Sequence, residues 1–262
     1  MKTTSIVSTD GIKIVYDAVG HGEPIILLHG GGGDNSRKMW HEYGYVDQLK
    51  TEFTVITIDM RGFGASDKPT DKSAYSISQM CHDVLAVADD CGVEQFSLWG
   101  YSFGGNIGRF LANRSDRVRQ AIIIGIPMGL AAQGEFREFI GQFSQEWLPI
   151  VAQYEEDEES INQLPSEKKE LFEAHNIPVF LAWLEAMLDW GGVEPADLQC
   201  PALWLSGTEN ESTMQSMRQF ENQLDQSNMQ TQTFEGLTHW QEFEQIDIVL
   251  PEMLAFTRQN LL

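Results

Sequence analysis

Hydrophobic and polar residues along this 262-residue chain follow two periods, one of two residues and one of about three and a half. Near the start, Ser5-Ile6-Val7 and Ile12-Lys13-Ile14-Val15-Tyr16 alternate on either side of Thr9-Asp10-Gly11, which predicts two strands joined by a tight turn. Short, largely apolar runs follow: Pro24 to Leu28, Phe53 to Ile58, Phe96 to Trp99, Ala121 to Ile124 and Ala202 to Leu205, with Thr231 to Phe234 a weaker last member. Such runs suit strands buried on both faces, because each face then requires an apolar side chain.

Helical spacing fills the intervals. Ile77, Met80, Cys81, Val84, Leu85 and Ala88 recur at i, i+3, i+4 and i+7, Ile107, Phe110 and Leu111 repeat the rule, and Met217, Phe220 and Leu224 do so again. Strands alternating with helices predict an α/β fold: a mostly parallel eight-stranded sheet with helices on both faces and an antiparallel edge at the N-terminal hairpin. The alternation stops between Pro127 and Pro201. There, helical patterns over 135–154, 168–175 and 179–190 follow one another without a strand. We therefore expect one domain with an insertion: a core of residues 1–127 and 196–262, and a helical cap over 128–195.

Charge narrows the partners. The chain has 17 Lys and Arg against 39 Asp and Glu, a net charge of −22. Such a surface repels phosphate backbones and anionic bilayers, so neither nucleic acid nor membrane is an expected partner, whereas a small-molecule substrate is. The acidic run Glu155 to Glu159 reads as a solvated loop or helix end. The longest apolar run, Ala121 to Pro127, falls far short of the ~20 residues that span a bilayer, and no apolar leader follows Met1. The three scattered cysteines, Cys81, Cys91 and Cys200, suit a reducing compartment, so a cytoplasmic location is expected.

The chemistry gathers at strand ends, where ligands bind in open α/β sheets. Gly100-Tyr101-Ser102-Phe103-Gly104 lies between a predicted strand and a predicted helix, the setting of a nucleophile elbow. Its serine backbone must be strained at a sharp turn, so small residues are needed on both flanks. A serine hydroxyl needs a base, and His239 follows the last predicted strand. His21, His82 and His175 read as structural, while His41 lies near a helix start and could line the pocket. Oxyanion stabilisation needs preorganised N–H groups; Phe103, directly after the serine, and Gly31, in His29-Gly30-Gly31-Gly32-Gly33, are the expected donors. No dinucleotide or P-loop pattern follows those glycines, no metal-ligand spacing appears, and no cofactor is expected.

These residues resemble the α/β-hydrolase family, in particular its capped esterase-like branch. The likeness covers nearly the whole chain through His29-Gly30-Gly31, the stretch Asp59 to Pro69, the elbow, Asp116-Arg117-Val118 and Thr238-His239. It implies that Asp59 and Arg61 tie loops beneath the site. Dehalogenases and epoxide hydrolases of this fold place Asp where Ser102 stands, which argues against both. One departure stands out. The family's catalytic Asp falls three residues after a strand-ending glycine, and here Gly207 plus three is Asn210, between Glu209 and Glu211. Asn210 completes the expected catalytic set with Ser102 and His239, orienting the imidazole through its carbonyl oxygen, unless Glu209 or Glu211 reaches His239 instead. Asn210 can also cap the next helix. The other family position, after the strand ending at Ile124, offers Gly125-Ile126-Pro127 and no acid.

The expected activity is that of a serine hydrolase cleaving a small carboxylic ester or related acyl substrate through an acyl-Ser102 intermediate. The alternatives are carbon–carbon bond hydrolysis or cofactor-free perhydrolysis at the same serine, and, in another class, a slow-turnover ligand-responsive regulator. Trp147, Phe180, Trp183 and Met187 in the cap suggest an apolar pocket, although core packing explains helical spacing equally well.

Overall fold

The computed structural model describes residues 2–261. Its strands and helices are, in order, β1 (Lys2–Val7), β2 (Lys13–Gly20), β3 (Glu23–Leu28), α1 (Lys38–Glu42), α2 (Tyr45–Leu49), β4 (Phe53–Asp59), α3 (Ile77–Asp90), β5 (Phe96–Tyr101), α4 (Phe103–Arg114) and β6 (Val118–Ile124). There follow β7 (Gly129–Leu130), α5 (Gly134–Glu156), α6 (Ser166–Ala174), α7 (Ile177–Met187), β8 (Gly192–Val193), β9 (Ala202–Gly207), α8 (Glu211–Gln219), α9 (Glu221–Leu224), β10 (Met229–Phe234), α10 (Gln241–Glu244) and α11 (Ile246–Gln259).

Eight strands form one sheet in the order β1-β2-β4-β3-β5-β6-β9-β10. β1 pairs antiparallel with β2 and β2 antiparallel with β4; every other neighbour is parallel. The uninterrupted apolar runs have the cause expected of them. Alternate residues of one strand enter opposite cores: Ile26 and Leu28 of β3 pack with Val84, Ile107 and Phe110 from α3 and α4. Ile25 and Leu27 point the other way, toward Leu49, Val249 and Met253 from α2 and α11.

The helices α5 to α7 are inserted between β6 and β9. The two-residue ladder of β7 with β8 joins the entry and exit of this segment. Two residues carry no periodicity, so no pattern in the sequence signals this ladder. The insertion has a small core of its own, in which Trp147, Val151, Phe172, Ile177 and Leu181 are buried. It also docks on the turn between β4 and α3: Trp190 donates from Nε1 to the Tyr75 carbonyl at 2.8 Å, and Lys72 pairs with Asp189 at 2.8 Å. The acidic run, at the end of α5 and just beyond, is exposed along its length.

Candidate active site

Ser102 sits between β5 and α4 with φ 52° and ψ −116°, one of two non-glycine residues among those described with positive φ. The turn is sharp enough to bring two backbones together. A Cβ at Gly100 would lie 2.4 Å from the Gly104 carbonyl oxygen, and one at Gly104 would lie 2.3 Å from that of Leu28. Glycine is therefore required at both positions. Ser102 N–H donates to Ile124 O at 2.9 Å and Gly104 N–H to His29 O at 3.0 Å, tying the elbow to β6 and to the end of β3.

His29 braces the glycine loop. It is wholly buried; Nδ1 donates to Gly30 O at 2.7 Å and Nε2 accepts from Met60 N–H at 3.2 Å. Burial pulls its pKa from 6.5 down to about 4, so the ring is neutral and both nitrogens are satisfied. Two residues on, Gly31 approaches the elbow so closely that a Cβ there would lie 2.9 Å from Phe103 Cβ. Phe103 opens α4, and the amide of a first helical residue has no acceptor within its helix. The expected oxyanion donors are thus neighbours in space.

His239 Nε2 lies 3.1 Å from Ser102 Oγ. Tyr101, the residue before Ser102, stacks on this imidazole with ring centres 5.2 Å apart, and its hydroxyl donates to His239 O at 3.0 Å. Ser102 is half-buried and the His239 side chain is 44% exposed, so both can be reached from solvent.

Behind the imidazole the arrangement differs from the expectation. Asn210 does reach His239, but with its amide nitrogen, 3.2 Å from Nδ1, and not with its carbonyl oxygen. Oδ1 instead faces Ser212 Oγ at 3.1 Å and Thr213 N–H at 3.4 Å, so Asn210 also caps α8. Glu209 and Glu211 are exposed at the start of α8, and neither contacts His239. The carboxylate that does is Glu242, on the single turn α10, with Oε2 3.3 Å from His239 Nδ1. It is fully buried, and its oxygens accept from Gly207 N–H at 2.7 Å, Asn210 Nδ2 at 2.9 Å and Ser206 Oγ at 3.0 Å. Gly125, with φ +74°, makes the space: a Cβ there would lie 2.2 Å from Glu242 Oε2 and 2.8 Å from His239 Nδ1. Sequence reasoning missed Glu242. The signal was its place three residues after His239, one helical turn along the chain.

Two clefts reach chain neighbours of the site, Trp240 beside His239 and Gly32 beside Gly31, and neither is lined by Ser102 or His239 itself. The larger, about 740 Å³, runs past Asn35, Arg37, Tyr43, Ala65 and Trp240. The smaller, about 180 Å³, lies between Gly32, Phe63 and the residues His175, Phe180 and Trp183 of the insertion. His41 lines neither and turns toward Asp17 and Thr57. Of the side chains of the insertion expected to form a pocket, Phe180 and Trp183 line the small cleft, whereas Trp147 and Met187 are core. Below the site, Arg61 binds Asp83 through Nε at 2.6 Å and Nη2 at 2.7 Å, and Asp10 through Nη1 at 2.7 Å. Asp59 receives the Arg37 and Ala65 amides, both at 2.8 Å, along with the Arg37 guanidinium. No cluster of three or more potential metal ligands occurs among the described residues.

Residues 23–252 match the family model of the alpha/beta hydrolase fold, and the chain belongs to that family. It is 29% identical over 128 residues to a soluble epoxide hydrolase of Corynebacterium sp. (strain C12), covering 48% of this chain and 42% of that protein. It is 34% identical over 117 residues to the 2-hydroxymuconate semialdehyde hydrolase of Pseudomonas sp. (strain CF600), covering 44% and 40%. The chain thus spans under half the length of the curated relatives it matches. Among solved structures it resembles a thermophilic esterase from Thermogutta terrifontis, with a TM-score of 0.73 at 22% identity over 99% of both chains.

Proposed function

We propose that this protein is a serine hydrolase that cleaves a small carboxylic ester or related acyl substrate. The observation that carries this reading is the 3.1 Å approach of His239 Nε2 to Ser102 Oγ on a strained elbow beside two unspent amides. His239 Nε2 takes the hydroxyl proton as Oγ bonds to the substrate carbonyl carbon. The carbonyl π pair moves to oxygen, where the Gly31 and Phe103 N–H groups receive it. Collapse expels the alcohol, which takes the proton from Nε2, and water then repeats the sequence on the acyl-Ser102 ester. In this reading residues 128–195 act as the cap, with Phe180 and Trp183 packed over the glycine loop. The unpaired thiols of Cys81, Cys91 and Cys200 support the expectation of a reducing, cytoplasmic setting. No described helix is long and apolar enough to cross a membrane.

Elementary chemistry argues against epoxide opening, although several relatives carry that name. Serine attack on an epoxide would leave an ether, which water at this site does not cleave; a carboxylate nucleophile leaves a hydrolysable ester. Carbon–carbon bond hydrolysis is the second reading, favoured by the likeness to the semialdehyde hydrolase. A fluorophosphonate probe should label Ser102 in the folded protein, and failure to do so removes the nucleophile assignment. Continued turnover of short aryl esters is expected. One acylation burst followed by arrest would indicate a ligand-responsive regulator.

A further inference from the structure

We propose that Glu242 is the carboxylate that positions His239, replacing one at position 210, and that Asn210 must be neutral for Glu242 to do so. This rests on the serine-hydrolase reading above. The orientation of the Asn210 amide follows from its partners. Gly125 O can only accept and Thr213 N–H can only donate, so Nδ2 faces Gly125 at 3.1 Å and Oδ1 faces Thr213. Asn210 therefore offers His239 no acceptor. Its two amide hydrogens go to Gly125 O and to Glu242.

Glu242 supplies what Asn210 lacks. Oε1 accepts from Ser206, Gly207 and Asn210, while Oε2 lies 3.3 Å from Nδ1 of the imidazole and, more weakly shared with Oε1, 3.3 Å from Asn210 Nδ2. A buried anion facing a nitrogen lone pair would be repelled, so Nδ1 carries the proton. That tautomer leaves the Nε2 lone pair toward the Ser102 hydroxyl, as a general base requires. During attack the proton from Oγ passes to Nε2, and the imidazolium keeps its Nδ1 proton hydrogen-bonded to Glu242.

The two positions exclude each other as carriers of the charge. A carboxylate at 210 would set oxygen against Gly125 O and against Glu242, acceptor against acceptor, and one of the two acids would have to bind a proton. Gly125 completes the arrangement, because any side chain there occupies the place of Glu242 Oε2.

The test compares wild type, Glu242→Gln, Asn210→Asp and the double variant Asn210→Asp/Glu242→Gln as full chains. Two quantities are measured: the pH profile of Ser102 labelling by a fluorophosphonate, and the His239 Nδ1–H resonance in histidine-¹⁵N-labelled protein. Glu242→Gln should slow labelling by ~10²–10⁴-fold, move its half-maximum to lower pH and abolish the downfield Nδ1–H signal. Asn210→Asp should not exceed wild type. The double variant, with one carboxylate again, should recover at least about tenfold over Glu242→Gln and regain the signal. A Glu242→Gln rate within about threefold of wild type, a gain in Asn210→Asp, or a folded double variant no faster than Glu242→Gln would each overturn the proposal. Should Glu242→Gln fail to fold, the Asn210→Asp rate decides. Wild type that resists the probe defeats the serine-hydrolase reading instead, and the Nδ1–H resonance then decides the Glu242 contact on its own.

Discussion

Ser102 and His239 occupy opposite sides of one hydrogen bond, yet their surroundings are built differently. The Ser102 side is a backbone construction: Gly100, Ser102 and Gly104 lie within five residues, and sterics between main-chain atoms shape it. The His239 side is assembled from side chains on separate elements, with Gly125 after β6, Asn210 after β9 and Glu242 on α10 converging on one imidazole. A backbone turn has few chemical solutions. A side-chain network has several, since a carboxylate can enter from any element whose Cβ points inward, provided its neighbours exchange donors for acceptors.

The largest expected effect tests the Ser102 side directly. Ser102→Ala should lower ester turnover by ~10⁵–10⁶ and abolish probe labelling, measured by steady-state kinetics and intact mass. Below it comes the loss in Glu242→Gln, which tests the other side. Backbone sterics alone are probed by Gly104→Ala, whose methyl meets Leu28 O; a destabilisation of about 3 kcal/mol, read from denaturant unfolding, is expected. A stability like that of wild type would show that the elbow relaxes at little cost.

His29 gives a comparable effect that depends on pH. Its pKa lies near 6.5 when unfolded and about 4 when folded, so below 6.5 the unfolded chain binds a proton that the folded one refuses. The contribution is complete above about 6.5 and lost as pH falls to about 4, up to about 3 kcal/mol in all. His29→Gln should flatten the stability profile in that interval by one proton. The smallest effect belongs to Glu209→Gln and Glu211→Gln, exposed residues beside Asn210, expected to change stability by under about 0.5 kcal/mol and turnover hardly at all. A large loss of turnover in either would move the acid back to the β9 loop.

The sheet was legible because its strands must bury two faces, which forces runs such as Ile25 to Leu28 whatever the helices around them. The elbow was legible because its constraints fall within five residues. The inserted helices were recognisable as helices, but which aromatics line a cleft was not: Trp147 and Trp183 both follow helical spacing, and only packing sends one into the insertion's own core and the other toward Gly31.

The sequence by itself determined the α/β architecture, the strained turn at Ser102 and the late histidine, because each follows from a local period or a local steric demand. Tertiary structure alone decided the third partner. Asn210 stands at the strand-end position where an acid was expected, yet the orientation of its amide is set by a carbonyl 85 residues away at Gly125. The carboxylate at His239 comes from Glu242, held by donors from β9 that no spacing along the chain reveals. Charge near an imidazole is a question of distance in space, and the chain order of these residues leaves that distance open until the three loops are brought together.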